Sequence, residues 1–288
     1  MTYDLAIADR IYSSWSLRGW LLLEAFGLPA RIHFARLYTD EMPRVLAAFA
    51  PARTVPALRC PDGSVLGDSL AIAEELASRH PEAGHWPAEP RQRAAARMLA
   101  AEMHSSFRAL REHCPMNLRD AYTGITPPDA VLADLARIET LWSWARELSG
   151  STTPWLFGAF SAADAFYAPV AGRIAGYGLP VGPEAQAYVD ALLALPAFRR
   201  WRAMGLAEGV VLSGYDRPNA TRPWPGPTPR PARAIAHGPA ENAACPYSGK
   251  PVTHFLELDG RIWGFCNAFC RDKTLADPEA WPAFTALL

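Results

Sequence analysis

The segment Ser13-Ser14-Trp15-Ser16-Leu17-Arg18 sets hydroxyls where a short apolar run, Leu5-Ala6-Ile7-Ala8, hands over to a helical pattern. A hydroxyl there lies beside unpaired helix amides and the positive end of the helix dipole. Such a setting lowers the pKa of a thiol that faces it, because hydrogen bonds to the charged form favour ionisation. The same serines would also serve as plain helix caps. Val55-Pro56 is a second signal. A proline after an extended residue suits a cis bond in a tight turn, which would leave the Val55 amide and carbonyl free for a peptide-like ligand. Asp68-Ser69 opens a further helical pattern, where Ser69 and its amide could hold a carboxylate or simply cap the helix. His104 and Arg108 are spaced i, i+4 and would share a helix face, either to orient an acidic substrate or as an interdomain pair. Met116-Asn117-Leu118-Arg119 is a similar case of lesser weight.

The elements that must position these groups alternate between strand and helix over the first eighty residues. Leu17, Trp20, Leu21 and Phe26 recur at helical spacing, and Gly27-Leu28-Pro29 supplies the stop. A second strand is expected over Arg31 to Leu37, a turn at Pro61 to Gly63 and a short strand at Ser64-Val65-Leu66. The helix after Asp68-Ser69 runs through Leu70, Ile72, Ala73, Leu76 and Ala77. The order β-α-β-(α)-β-β-α fits a small mixed sheet with helices packed on it. Beyond Pro90 the strand signals stop. Arg91 to Arg111, Pro128 to Leu148, Ser161 to Ile174 and Pro183 to Leu195 all read as helices. Ser161-Ala162-Ala163-Asp164 resembles a capping box and is read as a folding signal.

From Asp216 to Pro239 proline is dense, and an extended, semi-rigid tether is expected over residues 216–240. Residues 241–288 then form a compact stretch with Cys245, Cys266 and Cys270. Cys60 and Cys114 stand apart, so the five cysteines read as reduced thiols plus one local site. A formal charge of -1 gives no electrostatic reason to expect nucleic acid. No apolar stretch approaches a membrane span, and Met1-Thr2-Tyr3-Asp4 lacks a basic leader, so a cytoplasmic location is expected. Arginine almost wholly replaces lysine, with Lys250 and Lys273 the exceptions, which reads as genome composition.

Taken in this order and spacing, the serine-rich turn, Val55-Pro56 and Asp68-Ser69 resemble the glutathione S-transferase family. The resemblance covers about three quarters of the chain. It implies an α/β thioredoxin-like domain over residues 1–82 and an all-helical domain over 88–215. Ser13-Ser14-Trp15-Ser16 is similar to the Ser-Ser-Cys-Ser motif of the zeta class, whose members include maleylacetoacetate isomerases. Carried over, Ser13 would hydrogen-bond the glutathione thiolate, with Ser14 as neighbouring candidate. Val55, before a cis Pro56, would bind the cysteinyl backbone, and Asp68 and Ser69 the γ-glutamyl end. Trp15 stands where the motif has cysteine and cannot replace a thiol, which puts isomerase chemistry in doubt. Leu195 to Trp201 resembles the last helix of bacterial members. The family also implies a homodimer, glutathione as co-substrate and a small electrophile as partner. The competing reading is a non-catalytic scaffold of the same fold with a metal-sensing or partner-binding tail.

Cys245, a gap of twenty residues and then Cys266-Asn267-Ala268-Phe269-Cys270 resemble the TRASH and YHS metal-binding motifs, with a β-hairpin expected about Asp259-Gly260 between them. A small α+β module follows from that resemblance. Thiolates suit zinc or another soft metal, but structural zinc takes four ligands and the motif supplies three. His254 is the nearby candidate for the fourth, and a metal-free module held by its aromatic core is the alternative.

Overall fold

The computed structural model describes residues 2–288. Its first unit runs β1 (Tyr3–Ala8), α1 (Ser14–Glu24), β2 (Ala30–Ala35), α2 (Glu41–Leu46), β3 (Ala57–Arg59), β4 (Val65–Leu66) and α3 (Ser69–Arg79). The strands form one sheet in the order β2-β1-β3-β4. β1 pairs parallel to β2, with Leu5 opposite Ile32, and antiparallel to β3, with Leu5 opposite Leu58. The period of two along β1 sends alternate side chains to opposite faces. Leu5 and Ile7 join the main core, whereas Ala6 joins Leu46, Phe49 and Ala57 under α2. Being covered on both faces is why β1 reads as an unbroken apolar run.

The second unit is helical: α4 (Pro90–Ser105), α5 (Arg108–His113), a strand β5 (Ala121–Tyr122), α6 (Asp129–Ser149), α7 (Ala162–Tyr177), α8 (Pro183–Ala194) and α9 (Pro196–Glu208). α7 is buried along its whole length, and α1, α4 and α8 pack on it. The capping box at its start is formed. The Asp164 carboxylate accepts from the Ser161 N–H and hydroxyl, both at 2.8 Å, and from Tyr188 Oη at 2.8 Å. The single helix expected over Arg91 to Arg111 is two helices. The chain breaks at Ser106 and Phe107, where buried Phe107 takes a left-handed conformation (φ 59°).

Residues 216–240 differ from the tether expected of them. β6 (Thr221–Arg222) pairs antiparallel with β5, and the Arg202 guanidinium lies 4.5 Å from the centroid of the Trp224 ring. β7 (Ala232–Ile235) pairs with β8 (His254–Leu258), so the third unit begins before residue 241. The physical reason is that the stretches 221–222 and 232–235 contain no proline, and each occupies a sheet edge, where flanking prolines are tolerated. β9 (Arg261–Phe265) closes a hairpin with β8 through Asp259 and Gly260, both at positive φ. α10 (Ala268–Ala276) and α11 (Pro282–Thr285) complete the unit over Trp263, Phe265, Trp281 and Phe284.

α10 packs against α9. Arg199 clamps the Asp277 carboxylate through Nε at 2.8 Å and Nη2 at 2.6 Å. Arg200 links Glu24 of α1 at 2.9 Å to the Ala280 carbonyl at 3.2 Å. No helix among the described residues is long and apolar enough to cross a membrane.

Candidate functional site

A cavity of about 590 Å³ joins residues from both of the first two units, and Ser13, Ser14, Val55, Asp68, Ser69 and His104 all line it. Each is placed by a local feature of the sequence. Ser13 is the N-cap of α1, its Oγ accepting from the Ser16 N–H at 3.3 Å. Its hydroxyl lies 2.7 Å from Ser16 Oγ, which in turn accepts from the Ala8 N–H at 2.9 Å. A serine hydroxyl rotates freely, so its proton can turn to a ligand in the cavity. Ser14 Oγ accepts from Arg173 Nη2 at 3.0 Å.

The Val55–Pro56 bond is cis, and neither the N–H nor the C=O of Val55 has a hydrogen-bond partner among the described residues. Pro56 lines the same cavity. Asp68 caps α3 through Oδ1, 2.7 Å from the Leu70 N–H, which leaves Oδ2 at 3.4 Å from His104 Nε2. Ser69 is fully buried, and its hydroxyl has no partner among the described residues. As the first residue of α3 its N–H also lacks a carbonyl within the helix. Burial pulls the His104 pKa below its ordinary value, with Asp68 opposing.

Arg108 is not part of this site. The break at Ser106 and Phe107 turns α5 away from the line of α4, so His104 and Arg108 do not share a face. Arg108 is exposed and pairs with Glu112 at 2.6 Å. Asn117 is buried and bonds Tyr122 Oη at 3.0 Å, a structural contact outside the cavity.

Three arginines that sequence reasoning missed lie near one another at this site, two of them on Trp15. The Arg18 and Arg111 guanidiniums lie 5.4 and 5.2 Å from the centroid of the Trp15 ring. Arg173 reaches the cavity from α7, held by the Cys114 carbonyl at 2.8 Å and the Pro169 carbonyl at 3.2 Å. None of the three has a carboxylate within 4 Å among the described residues. Burial and then the neighbouring guanidiniums push the pKa of Arg18 down to about 9 and that of Arg173 to about 10. A signal was available: Arg173 is the one basic residue in the apolar stretch Ala162–Tyr177, and Arg18 interrupts an apolar helix face.

In the third unit the sulfurs of Cys245, Cys266 and Cys270 lie within 4.8 Å of one another. Ser248 Oγ donates to Cys266 Sγ at 3.2 Å, and Asn267 caps α10 by accepting from the Cys270 N–H at 2.8 Å. Burial opposes ionisation of Cys245, but hydrogen bonds from the Cys266 and Tyr247 backbones and from Ser248 outweigh it, so its thiol lies below the ordinary value. His254 is not a fourth ligand. It lies on β8 with Nδ1 bonded to Thr253 Oγ1 at 2.9 Å, outside the sulfur cluster. Beside the cluster, the Lys273 ammonium sits 3.6 Å from the Tyr247 ring centroid and 4.0 Å from that of Trp281.

The family described as "Glutathione S-transferase, N-terminal domain" matches residues 12–79. No curated protein sequence matches the chain. Among solved structures, a glutathione transferase homologue from Burkholderia gl BGR1, with bound glutathione, is 26% identical with a TM-score of 0.53. The match covers 72% of this chain and 98% of that one. A glutathione transferase from Methylococcus capsulatus str. Bath matches at 22% identity and a TM-score of 0.53, over 73% of this chain and 100% of that one. Glutathione transferase Omega 2S from Trametes versicolor, in complex with 2,4-dihydroxybenzophenone, matches at 23% identity and 0.53, over 73% and 99%. The first two units therefore have the fold of glutathione transferases, a thioredoxin-like N-terminal domain followed by a mostly helical one, with the cysteine-bearing unit added beyond it.

Proposed function

We propose that the chain is a glutathione transferase of the serine type, joining glutathione to a small electrophile. The observation that carries this reading is that one cavity brings together Ser13, the free main chain of Val55 and the unpartnered hydroxyl of Ser69. In the proposed pose the glutathione sulfur faces Ser13. The Ser13 hydroxyl turns from Ser16 to donate to the thiolate, and Ser14 and the first amides of α1 add to the favourable field. Val55 pairs with the cysteinyl N–H and C=O. The Ser69 hydroxyl and N–H hold the γ-glutamyl carboxylate, and Asp68 holds its ammonium. The thiolate lone pair then forms the C–S bond. In a substitution the leaving group departs with its electron pair, and in an addition the resulting carbanion takes a proton from water.

The zeta-like motif, with Trp15 in place of the cysteine, supports transfer over isomerisation. The homodimer and a cytoplasmic location are part of the same reading by family likeness. Calorimetric titration with reduced glutathione tests it. Saturable one-to-one binding per chain is expected, weakened in Ser13→Ala. No binding at millimolar glutathione would leave the scaffold reading in its place.

We further propose that Cys245, Cys266 and Cys270 hold a thiophilic metal ion such as zinc. Three sulfurs within 4.8 Å suit a first shell with bonds of about 2.3 Å. Bound there, the ion would tie the turn at Cys245 to the start of α10 and so brace the small third unit. Lys273 would offset the net negative charge of three thiolates on a divalent ion. Elemental analysis of protein purified without chelator should find about one ion per chain. Less than a tenth of an equivalent of any metal would sink the idea.

A further inference from the structure

We propose that Cys266 and Cys270 form a thiol–disulfide exchange site, which reduces small disulfides such as glutathione disulfide and closes into a disulfide of its own. The site uses sulfurs of the metal reading above in their metal-free state and needs nothing from the serine-lined cavity. The Sγ atoms of Cys266 and Cys270 lie 3.9 Å apart, and all three sulfurs of the cluster lie within 4.8 Å of one another. The three differ in access. Cys245 is 2% exposed and Cys270 9%, whereas Cys266 is half-buried at the surface. Its neighbours Ser248, Asn267, Ala268 and Phe269 are all exposed. Ser248 Oγ and Asn267 Nδ2 donate to the Cys266 sulfur at 3.2 and 3.4 Å and hold it at that opening.

This arrangement divides the labour of exchange. A bulky disulfide reacts only with a sulfur it can reach, so access decides which cysteine attacks. Cys266 is that sulfur. Its electron pair forms a new S–S bond, and one glutathione leaves with the pair of the broken bond and takes up the Cys266 proton. Cys270 then displaces the second glutathione from Cys266 in the same way. The two cysteine thiols have lost two electrons and two protons, and the small disulfide has become two thiols. For this the 3.9 Å gap must close to a bond of about 2.05 Å. Cys266 precedes Asn267, the N-cap of α10, so the helical ladder does not hold its main chain and its side chain can turn toward Cys270. Cys245 is not the partner. It is fixed in a tight turn, its carbonyl accepting from the Gly249 N–H and its own N–H bonded to the Lys250 carbonyl, both at 2.9 Å. Cys60 and Cys114 are buried in the other two units. Closing the pair removes two of the three thiolates from the cluster, so exchange and metal binding exclude each other.

The test treats the full chain, stripped of metal by a chelator that is then removed, with glutathione disulfide, and reads free thiols and peptide masses. The parent chain should lose two thiols, retain no glutathione and carry one disulfide between Cys266 and Cys270. Cys270→Ser, unable to complete the second step, should hold one glutathione on Cys266. The parent chain's own peptide map identifies the pair, so the test survives a serine variant that folds poorly. Modification that begins on Cys245, or glutathione that stays on the parent chain, overturns the proposal. So does a lack of thiol loss in a buffer that oxidises dithiothreitol. Two further arms separate this site from the readings above. Bis(2-hydroxyethyl) disulfide lacks the peptide that the cavity is proposed to hold, and it should oxidise the same pair. Oxidation confined to glutathione disulfide would tie the reaction to the cavity and overturn the proposal. About one equivalent of zinc should slow the exchange by roughly tenfold or more. Undiminished exchange in zinc would remove the metal reading and leave the exchange site standing.

Discussion

Gly19 packs directly against Pro56: a Cβ at position 19 would lie 2.5 Å from Pro56 Cβ and 2.8 Å from its Cγ. Neither partner can yield easily, since Gly19 is mid-helix in α1 and Pro56 belongs to the turn that presents Val55. The glycine thus sets the distance between the serine-bearing helix start and the main chain proposed to grip glutathione. Gly19→Ala is expected to cost about 1–3 kcal/mol through overpacking. It should also weaken glutathione binding more than an alanine placed on the exposed face of α3. A denaturant melt paired with calorimetry checks both, and an unchanged affinity would separate the two halves of the argument.

Ser69→Ala should move binding and stability in opposite directions. The Ser69 hydroxyl is buried without a partner, so the free protein carries the desolvation cost of that group. Removing it should leave thermal stability unchanged or raise it by up to ~1 kcal/mol. If the hydroxyl holds a carboxylate, glutathione affinity should fall by roughly tenfold, in line with a lost hydrogen bond to a charged group. A variant that loses stability and keeps its affinity would show the hydroxyl to be structural.

These two positions illustrate what the sequence made legible. A turn at Val55-Pro56 and a capped helix at Asp68-Ser69 are local events, governed by residues next to each other in the chain, and so is the Asp259-Gly260 hairpin. The arginine cluster is not local. Arg18, Arg111 and Arg173 come from three helices, α1, α5 and α7, and only tertiary packing, with Arg111 tied back to the end of α4 through the Met103 and His104 carbonyls, brings them close to one another. The break after Ser105 escaped notice for the same reason, since helical periodicity continues through it while buried Phe107 decides the local conformation. In the proline-rich stretch composition dominated the expectation, whereas two short proline-free segments found sheet edges to pair with.

Loss of the Asp4 carboxylate's charge should be felt on acidification. Hydrogen bonding from His33 Nε2 at 2.7 Å, ahead of Arg59 at 3.0 Å, holds the Asp4 carboxyl below its ordinary value. A depressed carboxyl stabilises the fold at pH above its unfolded value of about 3.9, and that stabilisation disappears as pH falls through the folded value. Asp4→Asn should therefore be less stable than the parent by about 0.5–1 kcal/mol at neutral pH, with the gap closing toward pH 3. Urea melts at pH 7 and pH 3 give the comparison, and a gap that stays constant would rule out the charge as its cause.

Ser13→Ala and Ser16→Ala separate the thiolate role from the capping role at the start of α1. Both hydroxyls belong to one set of bonds, in which Ser16 Oγ accepts from the Ala8 N–H and from the Ser13 hydroxyl. Ser16 is fully buried and is not among the residues lining the cavity, so its removal should cost stability, by about 1–2 kcal/mol, with the Ala8 N–H left unpaired. Ser13 loses a cap in the free protein, worth about 1 kcal/mol, and also the donor proposed for the thiolate. The pKa of bound glutathione, read from thiolate absorbance against pH, should rise by about one unit in Ser13→Ala, equivalent to about 1.4 kcal/mol. In Ser16→Ala the rise should be smaller, because the Ser13 hydroxyl remains. Equal shifts in both variants would mean that helix-start geometry, rather than the Ser13 proton, lowers the thiol pKa.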